Sequence, residues 1–337
     1  MRIAIFETEK YEIDPLTKRL KNLDVGFYKE KLTHEILDKV QDYEIISVFF
    51  QSRLNAELLK HLPKLKFIAT RSTGFDHIDL DYCEKNNIKV SNVPFYGGNS
   101  VAEHTFALIL ALSRKIIESH NKTEKMDFDF HGLMGFKLQG KTIGIVGMGH
   151  IGQYVARIAN GFEMNIITYD LHQDSELAKK LNFKYAASLD ELLGDSDVIT
   201  LHAPYNGYTH HLINKNNISK IKKGALFINT ARGGLVETEA LVEALNTGII
   251  SGAGLDVLEQ EENIKEEVEL LKGNFNTSDL KTVIENHILV AREDVIITPH
   301  NAFNTKDAVQ KILDVTADNI LAFMNNKPIN LVKSKTE

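Results

Sequence analysis

A chain of 337 residues, 43% hydrophobic and 25% charged, is sized for about two globular domains with substantial cores. Its net charge of −7, with no cluster of lysine and arginine interleaved with aromatics, argues against nucleic acid as the main partner. A single cysteine, Cys83, rules out an intrachain disulfide and favours a reducing cytoplasm, and the longest apolar stretch, 106–112, is too short to span a bilayer.

Apolar runs alternate with amphipathic stretches from end to end, the pattern of an α/β chain with parallel sheets. The amino terminus, MRIAIFE, reads as a first strand and lacks the apolar core and cleavage site of a signal peptide. The first section offers strands near 2–6, 44–49, 66–70 and 89–93, with helical stretches such as 54–62 between them. A long helix is predicted from about 100 to 119, followed by a polar connection over 121–132. The second section carries strand runs at 142–146, 165–169, 198–202, 225–229, 252–257 and 295–298, enough for a complete doubly wound sheet. The acidic stretch 259–269 and the polar residues up to 278 read as an inserted helical excursion with a solvated face. The last segment, 305–325, has a strong amphipathic helix pattern (Ala308, Ile312, Val315, Ile320, Leu321) and is expected to return to the first section. The prediction is two doubly wound parallel-sheet domains, one discontinuous: residues 1–99 with 302–337, and residues 100–301.

The most informative stretch is GMGHIG, residues 147–152. The strand run 142–146 precedes it, a helix-patterned run follows over 153–159, and the apolar run 165–169 ends in Asp170, eighteen residues beyond Gly152. That is the full context a dinucleotide fingerprint requires. Gly147 permits the tight turn, Gly149 lets the backbone approach a pyrophosphate, and Gly152 lets the helix pack closely on the sheet. The helix N-terminus offers N–H groups and a partial positive charge to the phosphates. Asp170 is suited to accept hydrogen bonds from the adenosine ribose and to repel a 2′-phosphate, and no arginine follows in Leu171-His172. NAD is therefore expected rather than NADP. A chance glycine cluster in a βα turn is the competing reading, and the context weighs against it.

Ligands of open α/β sheets bind beyond the carboxyl ends of the strands. Arg232 follows the run 225–229, Asp256 and then Glu261 follow 252–255, and His300 follows 295–298 through Pro299. An arginine, a carboxylate and a histidine thus leave three strands on the side that carries the cofactor, a trio suited to reduction of a 2-oxo acid. A guanidinium holds a carboxylate through two parallel hydrogen bonds and polarises the adjacent carbonyl. His300 can hand over a proton as the carbonyl oxygen gains charge. Glu261, bonded to the other ring nitrogen, would favour the imidazolium and fix its orientation. Asp256, closer to its strand, is expected to hold the nicotinamide end. Two blander readings compete: Arg232 in a surface ion pair, and Glu261 as a solvated charge beside Glu259 and Glu262. His104, within a predicted helix, and His77 read as structural. His210 and His211 are adjacent, poor spacing for one metal, and no Cys/His cluster supports a metal site, so none is expected.

Taken together the chain resembles the D-isomer-specific 2-hydroxyacid dehydrogenases over nearly its whole length, most closely the D-lactate dehydrogenase branch. The matching segments are RSTGFDHID at 71–79, VPFYGGNSVAEH at 93–104, the fingerprint, NTARGG at 229–234, GAGLD at 252–256 and TPH at 298–300. The resemblance implies a Rossmann NAD-binding domain over 100–301 and a discontinuous flavodoxin-like substrate domain, with a cleft between them, in a chain that forms a homodimer. It implies Arg232, Glu261 and His300 as the catalytic trio. It implies NAD contacts from His150, Ile151, Asp170, Ala203, Pro204, Thr209, Thr230, Ala231 and Asp256, besides the fingerprint glycines. It further implies a substrate pocket lined by Thr73, Gly74 and Tyr96 as well as Arg232.

Two departures bear on the substrate. Asn304 stands where lactate enzymes often place an aromatic, and it either accommodates a more polar side chain or caps the helix beginning near Thr305. The interval from Glu261 to His300 is also longer than the resemblance leads one to expect. The expected reaction is reversible hydride transfer between NADH and a 2-oxo acid, with pyruvate and D-lactate the leading pair. Reduction of glyoxylate, hydroxypyruvate or a bulkier 2-oxo acid is the alternative within enzymes. A non-catalytic NAD sensor or corepressor on the same fold is the alternative outside them, and the intact trio argues against it.

Overall fold

The computed structural model describes residues 1–261 and 277–334. The chain divides into two compact units, Met1–Tyr96 with Thr305–Glu337, and Gly97–Asn304.

In the first unit five parallel strands, β1 (Arg2–Ile5), β2 (Asp24–Phe27), β3 (Ile45–Val48), β4 (Phe67–Thr70) and β5 (Lys89–Ser91), lie in the order β2-β1-β3-β4-β5. That is the flavodoxin-like order, with a switch point between β1 and β3. A two-residue strand, Leu331–Val332, closes the β5 edge in antiparallel sense. The inner strands β3 and β4 are buried at every position, whereas β2 is half exposed. Parallel strands covered on both faces carry continuous apolar runs, so β3 and β4 stand out in the sequence and β2 does not.

The C-terminal helix Lys306–Met324 belongs to this unit. It buries Leu313, Ala317 and Ile320 against Ile3, Ile5, Ile45 and Phe67, and Phe323 stacks on Phe67 with ring centroids 4.4 Å apart. Its N-cap is Thr305, whose hydroxyl accepts from Ala308 N–H; Asn304 lies one residue earlier and is exposed, so the capping role expected of Asn304 falls to its neighbour. The helix is also keyed by a polar group. Asn319, fully buried, donates from Nδ2 to the Asn92 carbonyl (2.8 Å) and accepts at Oδ1 from Asn330 Nδ2 (2.8 Å).

In the second unit seven parallel strands, β6 (Thr142–Val146), β7 (Asn165–Tyr169), β8 (Lys184–Tyr185), β9 (Val198–Leu201), β10 (Ala225–Asn229), β11 (Ile250–Leu255) and β12 (Val295–Ile297), run in the order β8-β7-β6-β9-β10-β11-β12. This is the doubly wound dinucleotide-binding order extended by one strand, with its switch point between β6 and β9. Helix Gly98–Ser113 packs with the fingerprint helix His150–Gly161 on one face; helices Leu189–Asp195 and Thr238–Asn246 contribute to the core on the other.

The single helix predicted over 100–119 is two helices, Gly98–Ser113 and Ile116–Glu124, hinged at Lys115 with φ +50°. The reason is tertiary. Continuing the helix would give the Ser113 carbonyl to a following turn, but Phe136 N–H takes it (2.9 Å) as the chain returns. The predicted excursion over 259–278 lies for the most part outside the described residues; helix Thr277–Val290 follows it. Among the described residues no helix is long and apolar enough to cross a membrane.

Asn319→Leu keeps the branched, four-heavy-atom side chain but removes both buried hydrogen bonds and leaves their partners unsatisfied. It is expected to lower the unfolding free energy by about 2–4 kcal/mol. Urea unfolding monitored by far-ultraviolet circular dichroism checks this, and an unchanged midpoint would contradict the keying role.

Candidate active site

The parallel register of the second sheet puts the carboxyl ends of β6, β9, β10, β11 and β12 on one edge. At the end of β6, Gly147 takes φ +96°, and a Cβ there would lie 2.8 Å from the backbone of His202 and Ala203. Only glycine accepts both conditions. A Cβ on Gly152 would stand 2.2 Å from the Gly147 carbonyl oxygen, so turn and helix are in backbone contact. Helix His150–Gly161, which includes His150 and Ile151, begins at Gly149 without a side-chain cap, and a Cβ on Gly149 would meet nothing within 4 Å.

Asp170, at the end of β7, accepts from Met148 N–H through Oδ2 (2.7 Å) and from His172 N–H through Oδ1 (2.9 Å). It therefore braces the glycine turn, a task the sequence did not disclose, and each oxygen keeps a second lone pair for a hydroxyl donor. After β9, Thr209 closes the 204–209 loop: its hydroxyl donates to the Pro204 carbonyl (2.7 Å) and accepts from Asn206 N–H (2.9 Å). Ala203 and Pro204 begin that loop. His202 beside them is held neutral, burial pushing it down to about 3, with Nδ1 enclosed and Nε2 at 2.9 Å from the Thr200 hydroxyl. These features fit a dinucleotide: an open glycine turn, an uncapped helix N-terminus for its phosphates and an acid beside them for its ribose.

The next three strands are neighbours and deliver the trio. Asn229, the last residue of β10, accepts from Ala231 N–H (3.0 Å) and donates from Nδ2 to the Arg232 carbonyl (2.9 Å). This side-chain turn sets Thr230, Ala231 and Arg232 in an ordered bend. Thr230 is buried with its hydroxyl 3.0 Å from that of Thr105, and Arg232 is extended and partly buried. The following Gly233 lies against the Leu258 carbonyl, 2.0 Å from where a Cβ would be, so the bend after β10 touches the segment after β11.

That segment carries Glu259 and Glu261, and the structure separates them. Glu261 Oε1 is 2.5 Å from His300 Nδ1, while Glu259 pairs with His211 Nε2 (2.6 Å) and accepts from the Thr238 hydroxyl (2.7 Å). The solvated reading of Glu261 is thereby excluded, and His211 is a structural partner. A carboxylate only accepts, so His300 Nδ1 carries the shared proton, which fixes the tautomer of the ring.

Asp256 is 1% exposed. Its carboxylate accepts from Asn301 N–H (3.0 Å), Ala302 N–H (2.9 Å) and the Thr298 hydroxyl (2.5 Å), and its carbonyl accepts from His300 N–H (2.9 Å). Sequence reasoning assigned Asp256 to the cofactor; the structure shows three of its acceptor sites holding the loop that carries His300.

In the first unit, Thr73 and Gly74 follow β4. Thr73 donates its hydroxyl to the Val93 carbonyl (2.8 Å) and its own carbonyl accepts from Asn92 Nδ2 (2.7 Å), while Ser72 donates to the Gly74 carbonyl (2.6 Å). The loop is thus fastened to the end of β5. His77 contacts the Thr70 hydroxyl at 3.1 Å, and Tyr96, partly buried, follows Phe95, whose φ is +55°.

Comparison with known proteins agrees with this geometry. Residues 106–302 match the family model described as D-isomer specific 2-hydroxyacid dehydrogenase, NAD binding domain. A 2-hydroxyacid dehydrogenase homolog of Zymomonas mobilis is 38% identical over 320 residues, 93% of each chain. A glyoxylate reductase of Thermococcus litoralis is 35% identical over 305 residues, 88% of this chain and 86% of the relative. The crystal structure of D-lactate dehydrogenase from Aquifex aeolicus, complexed with NAD and lactic acid, matches with a TM-score of 0.87 at 37% identity, covering 99% of this chain and 100% of that one. With glycine turn, the acid that ends β7 and the histidine–glutamate pair on one sheet edge, the chain belongs to the D-isomer specific 2-hydroxyacid dehydrogenases and is an NAD-dependent oxidoreductase.

Proposed function

We propose that the chain interconverts pyruvate and D-lactate, with Arg232, Glu261 and His300 as its working groups. The observation that carries the roles is the His300–Glu261 contact, because it fixes the ring tautomer and so directs proton exchange to Nε2. Arg232 binds the substrate carboxylate with its planar fork and draws electron density from the neighbouring carbonyl. When bound, NADH supplies the hydride that reduces the carbonyl carbon. His300 gives the Nε2 proton to the carbonyl oxygen as negative charge builds there, and Glu261 stabilises and orients the ring through Nδ1. In the oxidative direction the same Nε2 removes the hydroxyl proton.

Likeness to the Aquifex enzyme, which was crystallised with lactic acid, supports the small methyl-bearing substrate. The second reading is a glyoxylate reductase, favoured by the Thermococcus relative. We also propose that the chain pairs with a second copy. Met126, Phe128, Phe130 and Met134 are 75–90% exposed within nine residues of one another, a cluster of large apolar side chains of the kind that marks an interaction surface. Cys83, a buried free thiol, suits the reducing cytoplasm.

Steady-state rates with NADH on pyruvate, glyoxylate, hydroxypyruvate and phenylpyruvate test the substrate. The highest kcat/KM is expected on pyruvate, and a clear preference for any other acid overturns that choice. On the preferred acid, His300→Ala is expected to reduce kcat by roughly 10²–10⁴ with NADH affinity unchanged; retained turnover would remove His300 from the chemistry. Asp170→Ala is expected to raise the ratio of kcat/KM for NADPH over NADH by about ten-fold or more. An unchanged ratio would contradict its ribose role. Light scattering at micromolar concentration is expected to give twice the chain mass, and a monomer there would refute the pairing.

A further inference from the structure

The mechanism uses His300 but leaves His104 unexplained. His104 lies on helix Gly98–Ser113 and places Nε2 3.0 Å from the Thr298 hydroxyl and 3.6 Å from Asp256 Oδ1. Donor accounting fixes the direction of this chain. The Thr298 hydroxyl has one proton, and Asp256 Oδ1, 2.5 Å away, is a carboxylate oxygen that only accepts. The hydroxyl proton therefore goes to Asp256, and the Thr298 oxygen is left to accept from His104. His104 must carry its hydrogen on Nε2.

What hangs on Asp256 makes the chain consequential. Its carboxylate is sealed from solvent, so its orientation is set by its donors rather than by water. Two of them are the N–H groups of Asn301 and Ala302, the residues directly after His300. His300 itself has φ +52°, a left-handed conformation that residues with a side chain adopt infrequently, so the hydrogen bonds around its main chain matter. Asp256 clamps this stretch, accepting His300 N–H at its carbonyl and the next two N–H groups at its carboxylate, and the Thr298 hydroxyl shares the oxygen that serves Asn301.

We propose that His104 is a positioning residue for the reaction: its Nε2–H fixes the Thr298 hydroxyl, that hydroxyl fixes Asp256, and Asp256 holds the backbone that presents His300. The proposal rests on the reading of His300 as the proton donor. Removing the His104 donor frees the threonine hydroxyl to rotate and loosens the clamp. The ring of His300 then spends less time aligned with the carbonyl oxygen, which slows the chemical step and leaves ground-state binding in place.

The test is kinetic and uses the full-length enzyme with NADH and pyruvate, or whichever 2-oxo acid it reduces fastest. His104→Leu is expected to lower kcat about ten-fold, with the KM for the oxo acid and the Kd for NADH within about two-fold of the parent. His104→Gln, whose amide offers a donor at similar reach, is expected to recover kcat to within about three-fold. Thr298→Val cuts the same chain at its next link, so the double variant His104→Leu/Thr298→Val is expected to be no slower than the slower single variant. A parental kcat in His104→Leu overturns the proposal, as does a His104→Gln enzyme as slow as His104→Leu, or independent multiplication of the two losses. Should His104→Leu fail to fold, Thr298→Val against Thr298→Ser decides: a slow valine variant with a near-parental serine variant supports the chain, and a parental valine variant refutes it. If His300→Ala is inactive while His104→Leu is normal, this inference alone falls. If His300→Ala stays active, the reading beneath it falls too.

Discussion

The 2.5 Å contact between His300 Nδ1 and Glu261 Oε1 fixes the tautomer of the ring on which the proposed chemistry depends. A histidine at the end of a strand has two rotatable side-chain bonds and two tautomers, and only one combination serves a carbonyl oxygen. Glu261 removes the tautomer choice. The backbone removes most of the rest, because His300 N–H and the two N–H groups that follow it are all bonded to Asp256. The proposed proton donor is thus constrained at its ring and at its main chain by two acids that leave the same strand.

The same economy recurs at the cofactor end. Asp170 braces the glycine turn through Met148 N–H while retaining lone pairs, so on the proposed reading one carboxylate both shapes the turn and selects between cofactors. Asn229 does comparable work at β10, where a side-chain turn rather than a helix or strand presents Arg232. In each case a short polar side chain at a strand end satisfies the first N–H groups beyond the ladder, which would otherwise be left without partners. Rigidity at the site comes from these small closed circuits more than from the helices around it.

Much of this architecture was legible in the sequence, for identifiable reasons. The inner strands are covered on both faces and therefore appear as uninterrupted apolar runs, and Gly147 and Arg232 are conspicuous because each stands within three residues of such a run, while His300 stands out after Pro299 beyond the edge strand Val295–Ile297. The strands Asp24–Phe27 and Lys184–Tyr185 escaped notice because they are short, sit at or near sheet edges and carry polar residues. The break at Lys115 was invisible because its cause, Phe136 N–H, lies far along the chain. Glu261 could not be told from Glu259 by spacing; only the folded chain shows one turned to His300 and the other to His211. Asp256 was placed correctly at its strand end, but its engagement with the backbone of 301 and 302 depends on a loop conformation that no periodicity encodes.

A crystal structure with NADH and oxamate, a non-reducible isostere of pyruvate, tests the central claim most directly. The account predicts the Arg232 guanidinium paired to the oxamate carboxylate, with His300 Nε2 within about 3.2 Å of the carbonyl oxygen and the Nδ1–Glu261 contact intact. A carboxylate seated away from Arg232, or an imidazole that has left Glu261 and turned Nε2 from the carbonyl, would contradict it.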